Sequence, residues 1–172
     1  MDKKEFGVLA MAIRTSYPRE QILVNEKAYE IWFRQLQDIP YKVAETALQI
    51  WIATNRWSPT IADIREKAVE LTMQEKLDWS KAWEEVRNAI GCYGHRDPQG
   101  AYASMSSEIT REVVRRIGWN TICFTDNLSV ERANFRMIYE ELAEKEKKQA
   151  QIPEKLRLLI GNPQSVELLA DK

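Results

Sequence analysis

The 172-residue sequence predicts an all-α protein: two small helical bundles over residues 1–73 and 78–143, then a charged helical extension and a partly flexible C-terminal tail over 144–172. Three observations predict this. Apolar residues recur at three- and four-residue steps along most of the chain, the period of a helix with one buried face. No stretch of any length alternates apolar and polar residues as a half-buried strand does. Only six glycines and six prolines are present, so long stretches carry no helix breaker.

The elements follow in order. Phe6, Leu9, Ala10 and Ile13 make the first stripe, which ends at Tyr17-Pro18 because a residue before proline avoids helical angles. Asn25 suits an N-cap, and the helix it opens carries Ala28, Tyr29, Trp32, Phe33 and Leu36. Asp38-Ile39-Pro40 reads as a turn, with Pro40 at the first position of a third helix that carries Val43, Ala44, Ala47, Leu48 and Trp51. Thr60 and Asp63 form a capping box with Asp in place of Glu, opening a fourth helix that runs to about Met73. A break is expected near Leu77–Ser80, with Asp78 capping a fifth helix that carries Trp79, Ala82, Trp83, Val86 and Ile90 and stops at Gly91. Residues 91–105 hold three of the six glycines and read as irregular. Ser106 or Ser107 caps the next helix, which Gly118 closes. After a turn at Asp126-Asn127, Ser129 caps a last long helix with Phe135, Ile138, Tyr139 and Leu142 facing inward. Its continuation, Glu144–Lys148, is charged all round. Two apolar clusters follow, one at Leu156–Ile160 and one at Val166–Leu169.

Charge excludes some classes of function. The formal net charge is −1, and the balance is local: ten basic and ten acidic residues over 1–73, seven and eight over 74–127, eight and eight over 128–172. No basic domain advertises a nucleic-acid or membrane partner. The longest runs without a charged residue, Thr46–Asn55 and Pro98–Ser107, are ten residues long, about half of what a spanning helix needs. The N-terminus lacks the pattern of a secretory signal, so a soluble, cytoplasmic protein is expected. In that compartment Cys92 and Cys123 are expected to remain free thiols.

Catalytic parts are missing. A phosphate loop requires Gly-Lys, and the pair does not occur. His95 is the sole histidine, with no nucleophile signature around it. Cys92 and His95 have ligand-like spacing, but zinc generally takes four ligands and the second pair is lacking. Glu84-Glu85 and Glu140-Glu141 are adjacent rather than on one helix face, as solvated surface carboxylates are. The sequence therefore predicts no enzyme, no metal and no cofactor.

Binding surfaces are better represented. Arg111, Arg115 and Arg116, and separately Arg132 and Arg136, lie one turn apart or adjacent. They are read either as surface arginines paired with Glu108, Glu112 and Glu131, or as a basic face for a phosphate backbone or an acidic partner. Trp57 stands in a loop before a capped helix, where an exposed interface anchor would be placed. Leu156, Leu159 and Ile160 fall at i, i+3 and i+4, a spacing that suits a helix laid into a partner's groove. Packing of these leucines onto the second bundle is the competing reading.

The segments IWFRQLQDIPYKVAETALQIWI and WSPTIADIREKA, within about residues 1–70, resemble the helicase loader/inhibitor family of phages that infect low-GC Gram-positive bacteria. The resemblance rests on an aromatic-bearing helix, an interhelical Ile-Pro-Tyr, and Trp57 with Pro59–Ile64. It implies a non-enzymatic DNA-replication adaptor that binds a DnaB-type hexameric replicative helicase of phage or host. Such a protein inhibits the helicase, loads it at the origin through an origin-binding protein, or does both. Family members combine a folded helical N-terminal domain with a flexible C-terminal part needed for the helicase contact. The candidate contact residues for that partner are the tail residues Leu156, Leu159 and Ile160, with Trp57, Pro59 and Ile61 as the next segment to carry it. A small nucleic-acid-binding replication or regulatory protein is the alternative, with the arginines as its foothold.

Overall fold

The structure, a computed structural model, describes residues 1–73 and 77–160. Among these residues there are ten helices and no strand, as the apolar periodicity predicts. The expected cluster at Val166–Leu169 and the expected flexibility of the tail's end lie outside the described residues. Contacts divide the described chain into two compact units, one of residues 1–73 and 147–160, the other of residues 77–146.

The first unit contains α1 (Lys3–Ser16), α2 (Glu26–Leu36), α3 (Tyr41–Thr54) and α4 (Ile61–Met73). Asp2 opens α1 with a full capping box: its carboxylate accepts from the Lys4 and Glu5 amides, and Glu5 reaches back to the Asp2 amide. Asn25 caps α2 through the Ala28 amide at 2.9 Å. The core gathers Phe6, Leu9 and Ile13 from α1, Leu36 from α2, Ala44, Ala47 and Leu48 from α3, and Ile64 and Ala68 from α4. Ala44 and Ala47 of α3 are fully buried in this core, and the Phe6 ring packs against those of Tyr29 and Phe33.

The second unit contains α5 (Trp79–Tyr93), α6 (Pro98–Ser104), α7 (Glu108–Ile117), α8 (Trp119–Phe124) and the larger part of α9 (Leu128–Gln151). Trp83, Val86, Met105, Val113, Val114, Ile122, Phe135 and Tyr139 are its main buried side chains. The last turn of α9 belongs to the first unit, as does α10 (Glu154–Ile160).

Four local expectations are corrected. Gly91 does not stop α5; the helix runs to Tyr93 and Gly94 caps it at φ 55, its amide reaching the Ile90 carbonyl at 3.0 Å. A helix tolerates an interior glycine at about 1 kcal/mol, whereas a positive φ specifically favours glycine. Residues 91–105 are not wholly irregular, because Asp97 accepts from the Gly100 amide and Pro98 takes the first position of α6. Pro40 precedes α3 as its N-cap instead of occupying its first turn. At the start of α9 the cap is Asn127, which receives the Ser129 hydroxyl and the Val130 amide; Ser129 lies inside the first turn.

The short α8, between Gly118 and Asp126, had no predicted counterpart, since six residues are too few to show a period. Gly118 stands between α7 and α8 at φ +97, and a Cβ there would lie 3.2 Å from the Thr121 hydroxyl. Gly118→Ala is therefore expected to destabilise the second unit by about 1–2 kcal/mol, read as a lower urea midpoint. An unchanged midpoint would mean that this connection is free to re-form.

Candidate partner-binding site

The loop between α3 and α4 is held at nearly every residue. The Trp51 indole donates to the Trp57 carbonyl at 2.9 Å, and the Tyr17 hydroxyl reaches the Asn55 carbonyl. Ser58 bonds the Glu20 carboxylate through its hydroxyl and its amide. Thr60 and Asp63 form the reciprocal cap: the Thr60 amide and hydroxyl donate to Asp63, and the Asp63 amide donates to the Thr60 hydroxyl. Pro59 is buried, and Ile61 is half-buried against the core. The Trp57 side chain is the exposed large apolar group of this segment, with 71% of its surface in water. A large aromatic on a fixed backbone loses little entropy when a partner covers it, which is the physical profile of an interface anchor.

The C-terminal leucines sit on α10. Leu156, Leu158 and Ile160 are exposed and Leu159 is half-buried; none belongs to either core cluster. What positions α10 is a part-buried ion pair that the sequence reading missed. Arg65 of α4, only 6% exposed, makes a two-pronged contact with Asp38, Nη1 to Oδ1 at 2.7 Å and Nη2 to Oδ2 at 2.9 Å. Its Nη1 also donates to the Gln35 carbonyl at 2.6 Å, and its Nε donates to the Gln151 carbonyl at the end of α9. Asp38 in turn accepts the Glu154 amide in the first turn of α10 at 3.2 Å. The pair thus satisfies a last carbonyl of one helix and a first amide of the next, bracketing the turn at Ile152-Pro153. Burial favours the protonated form of Asp38, but the hydrogen bonds from Arg65 and the Glu154 amide, with the guanidinium charge, outweigh it. Its carboxyl is held below the usual carboxylate range. Arg65 and Asp38 stand 27 residues apart, and Gln151 lies 86 beyond Arg65, so no local period marks them.

The arginines fall in two groups, one on α7 and one on α9. Arg111 pairs with Glu108 at 2.7 Å and donates to the Met105 carbonyl; Arg115 bonds Glu112 and reaches Glu108; Arg116 pairs with Glu112 at 3.0 Å. These guanidinium groups hold Glu108 and Glu112 below the usual carboxylate range. Arg132 and Arg136 lie on α9 over the Trp79 ring, at 5.3 and 5.0 Å from its centre, and Arg136 also pairs with Glu140. Elsewhere in the second unit His95 packs on Phe124 at 4.9 Å, and Cys92 is exposed. Among the described residues no three His, Cys, Asp or Glu side chains come together as a metal site, and no helix is long and apolar enough to cross a membrane.

Fold and surface together define an all-helical chain of two units that displays apolar side chains on firmly held backbone. Within it, residues 1–65 match the family model for the N-terminal domain of a phage helicase loader/inhibitor. The match spans α1, α2, α3 and the start of α4, and includes Asp38, Trp57 and Arg65. Neither the curated proteins nor the solved structures give a significant match to the chain.

Proposed function

We propose that this chain is a non-enzymatic phage DNA-replication adaptor that binds a DnaB-type hexameric replicative helicase in the bacterial cytoplasm. It inhibits that helicase, loads it at the origin with an origin-binding protein, or does both. The match over residues 1–65 to the N-terminal domain of a helicase loader/inhibitor carries this reading. The displayed Trp57, with Pro59 and Ile61 near it in sequence, supplies one contact; Leu156, Leu159 and Ile160 on α10 supply the other. Arg111, Arg115 and Arg116 each already have a carboxylate partner, which weakens the alternative of a phosphate-binding face. The chain itself is expected to bind no ATP, having no phosphate loop, yet to change the helicase's ATPase rate.

Two variants test the contacts. Trp57→Ala, and separately the double change Leu156→Ala with Leu159→Ala, are each expected to weaken helicase binding at least tenfold, about 1.4 kcal/mol, in fluorescence anisotropy. Melting temperature should hardly move for Trp57→Ala, since its side chain is largely in water already. If the leucine change lowers stability and spares binding, α10 is a packing element and Trp57 remains the anchor. Intact binding in both variants removes these residues from the interface.

A further inference from the structure

The second unit carries a cleft of about 330 Å³ that the helicase reading leaves unused. Its walls include Trp79, Trp83, Glu84 and Arg87 of α5, and Leu128 and Arg132 of α9. We infer that this cleft binds an acidic peptide segment of another protein, its carboxylates meeting Arg87 and Arg132 and an apolar residue resting on Trp79 and Leu128.

Charge decides the occupant's class. Arg87 and Arg132 are not enclosed by the core, and among the described residues neither has a carboxylate in ion-pair contact, in contrast to Arg111, Arg115 and Arg116 on α7. Among the described residues Glu84 is the one carboxylate on the wall, three residues before Arg87 on the same helix, and no ion pair joins them. Such an exposed pair would contribute little if it formed, so Arg87 stays available to a ligand. Two guanidinium groups against one carboxylate leave the cleft with an excess positive charge. Arg132 is also pre-positioned, because its guanidinium lies over the Trp79 ring, with that of Arg136 beside it. A guanidinium held in this way gives up little freedom when it donates to both oxygens of a carboxylate.

Geometry separates an acidic peptide from nucleic acid. Single-stranded binding relies on free aromatic faces for stacking and on a run of cations along the backbone. Here, among the described residues, the cleft offers two guanidinium groups without a carboxylate and no longer run of cations. Half-buried Trp79 and exposed Leu128 do offer an apolar rest for a side chain next to those carboxylates.

The test is selection of dodecapeptides from a random phage-displayed library on the full chain. The expected winners carry two or more acidic residues beside a leucine or an aromatic. A synthetic copy should bind at least tenfold more weakly to Arg87→Ala/Arg132→Ala, with no change in melting temperature. Arg87→Glu alone, at a position without an ion pair, should reproduce the loss should the double variant fold poorly. Winners without acidic residues, no enrichment at all, or equal binding to both variants would overturn the inference. Binding of a dT20 oligonucleotide that the same substitutions abolish would assign the cleft to nucleic acid instead.

Discussion

Asp38→Ala is expected to destabilise the first unit by about 3 kcal/mol, because it leaves the buried Arg65 charge without its carboxylate. Arg65 is the member left behind, its side chain 7% exposed. Asp38 is more accessible at 21%, which sets the expectation at the lower end of the range for buried pairs. Two readouts apply. The urea midpoint should fall, and the Glu154 amide, which loses its acceptor, should exchange faster with solvent. Arg65→Met with Asp38→Ala should recover part of the loss, since an apolar pair of similar volume leaves no buried charge.

The same pair predicts a dependence on pH. The folded value of Asp38 lies below that of an unfolded aspartate, which is about 3.9. Its contribution is therefore complete above about pH 4 and is lost as the pH falls through the folded value. Asp38→Asn should be less stable than the parent at neutral pH, with the difference narrowing below about pH 4. A gap that stays constant down to about pH 2 would show that Asp38 titrates normally.

Phe135→Ala is expected to be comparably severe for the second unit. Phe135 is fully buried, with its ring 5.2 Å from that of Trp83 and 5.7 Å from that of Tyr139. Truncating a buried phenylalanine costs about 3–5 kcal/mol through lost transfer energy and the cavity left behind. Domains of this size have about 5–15 kcal/mol in total, so the unit should be close to unfolding in the absence of denaturant. Tryptophan emission from Trp83 and Trp119 reports it, because both are nearly buried in this core. A loss under about 1 kcal/mol would mean that α9 repacks with little cavity.

How much of the molecule was legible in its sequence varied with the distance over which each feature is encoded. The caps at Asn25, Asp78 and Ser107 and the box at Thr60–Asp63 depend on residues two or three apart, and all are present. The inward row Phe135–Tyr139 likewise follows from helical spacing. Gly91 misled because a glycine inside a helix and one ending it look alike until a positive φ is known, and that φ belongs to Gly94. The start signal of α6, Asp97-Pro98, was present among three glycines that obscured it. At the candidate site, the exposure of Trp57 could be anticipated from its place before a capped helix. The ties that fix its loop, from Trp51 and Glu20, could not. The Asp38–Arg65 pair and the cleft between α5 and α9 arise from contacts between distant residues, which no periodicity announces.

The central claim is that this chain grips a hexameric replicative helicase, and direct titration tests it best. The fluorescently labelled full chain is titrated with the purified hexameric helicase of the phage or its host, and anisotropy and ATPase rate are followed together. The account predicts saturable binding at micromolar concentration or tighter, about −8 kcal/mol or more favourable, accompanied by a changed ATPase rate and weakened by Trp57→Ala. No binding at tens of micromolar helicase, together with saturable binding to single-stranded DNA, would contradict it.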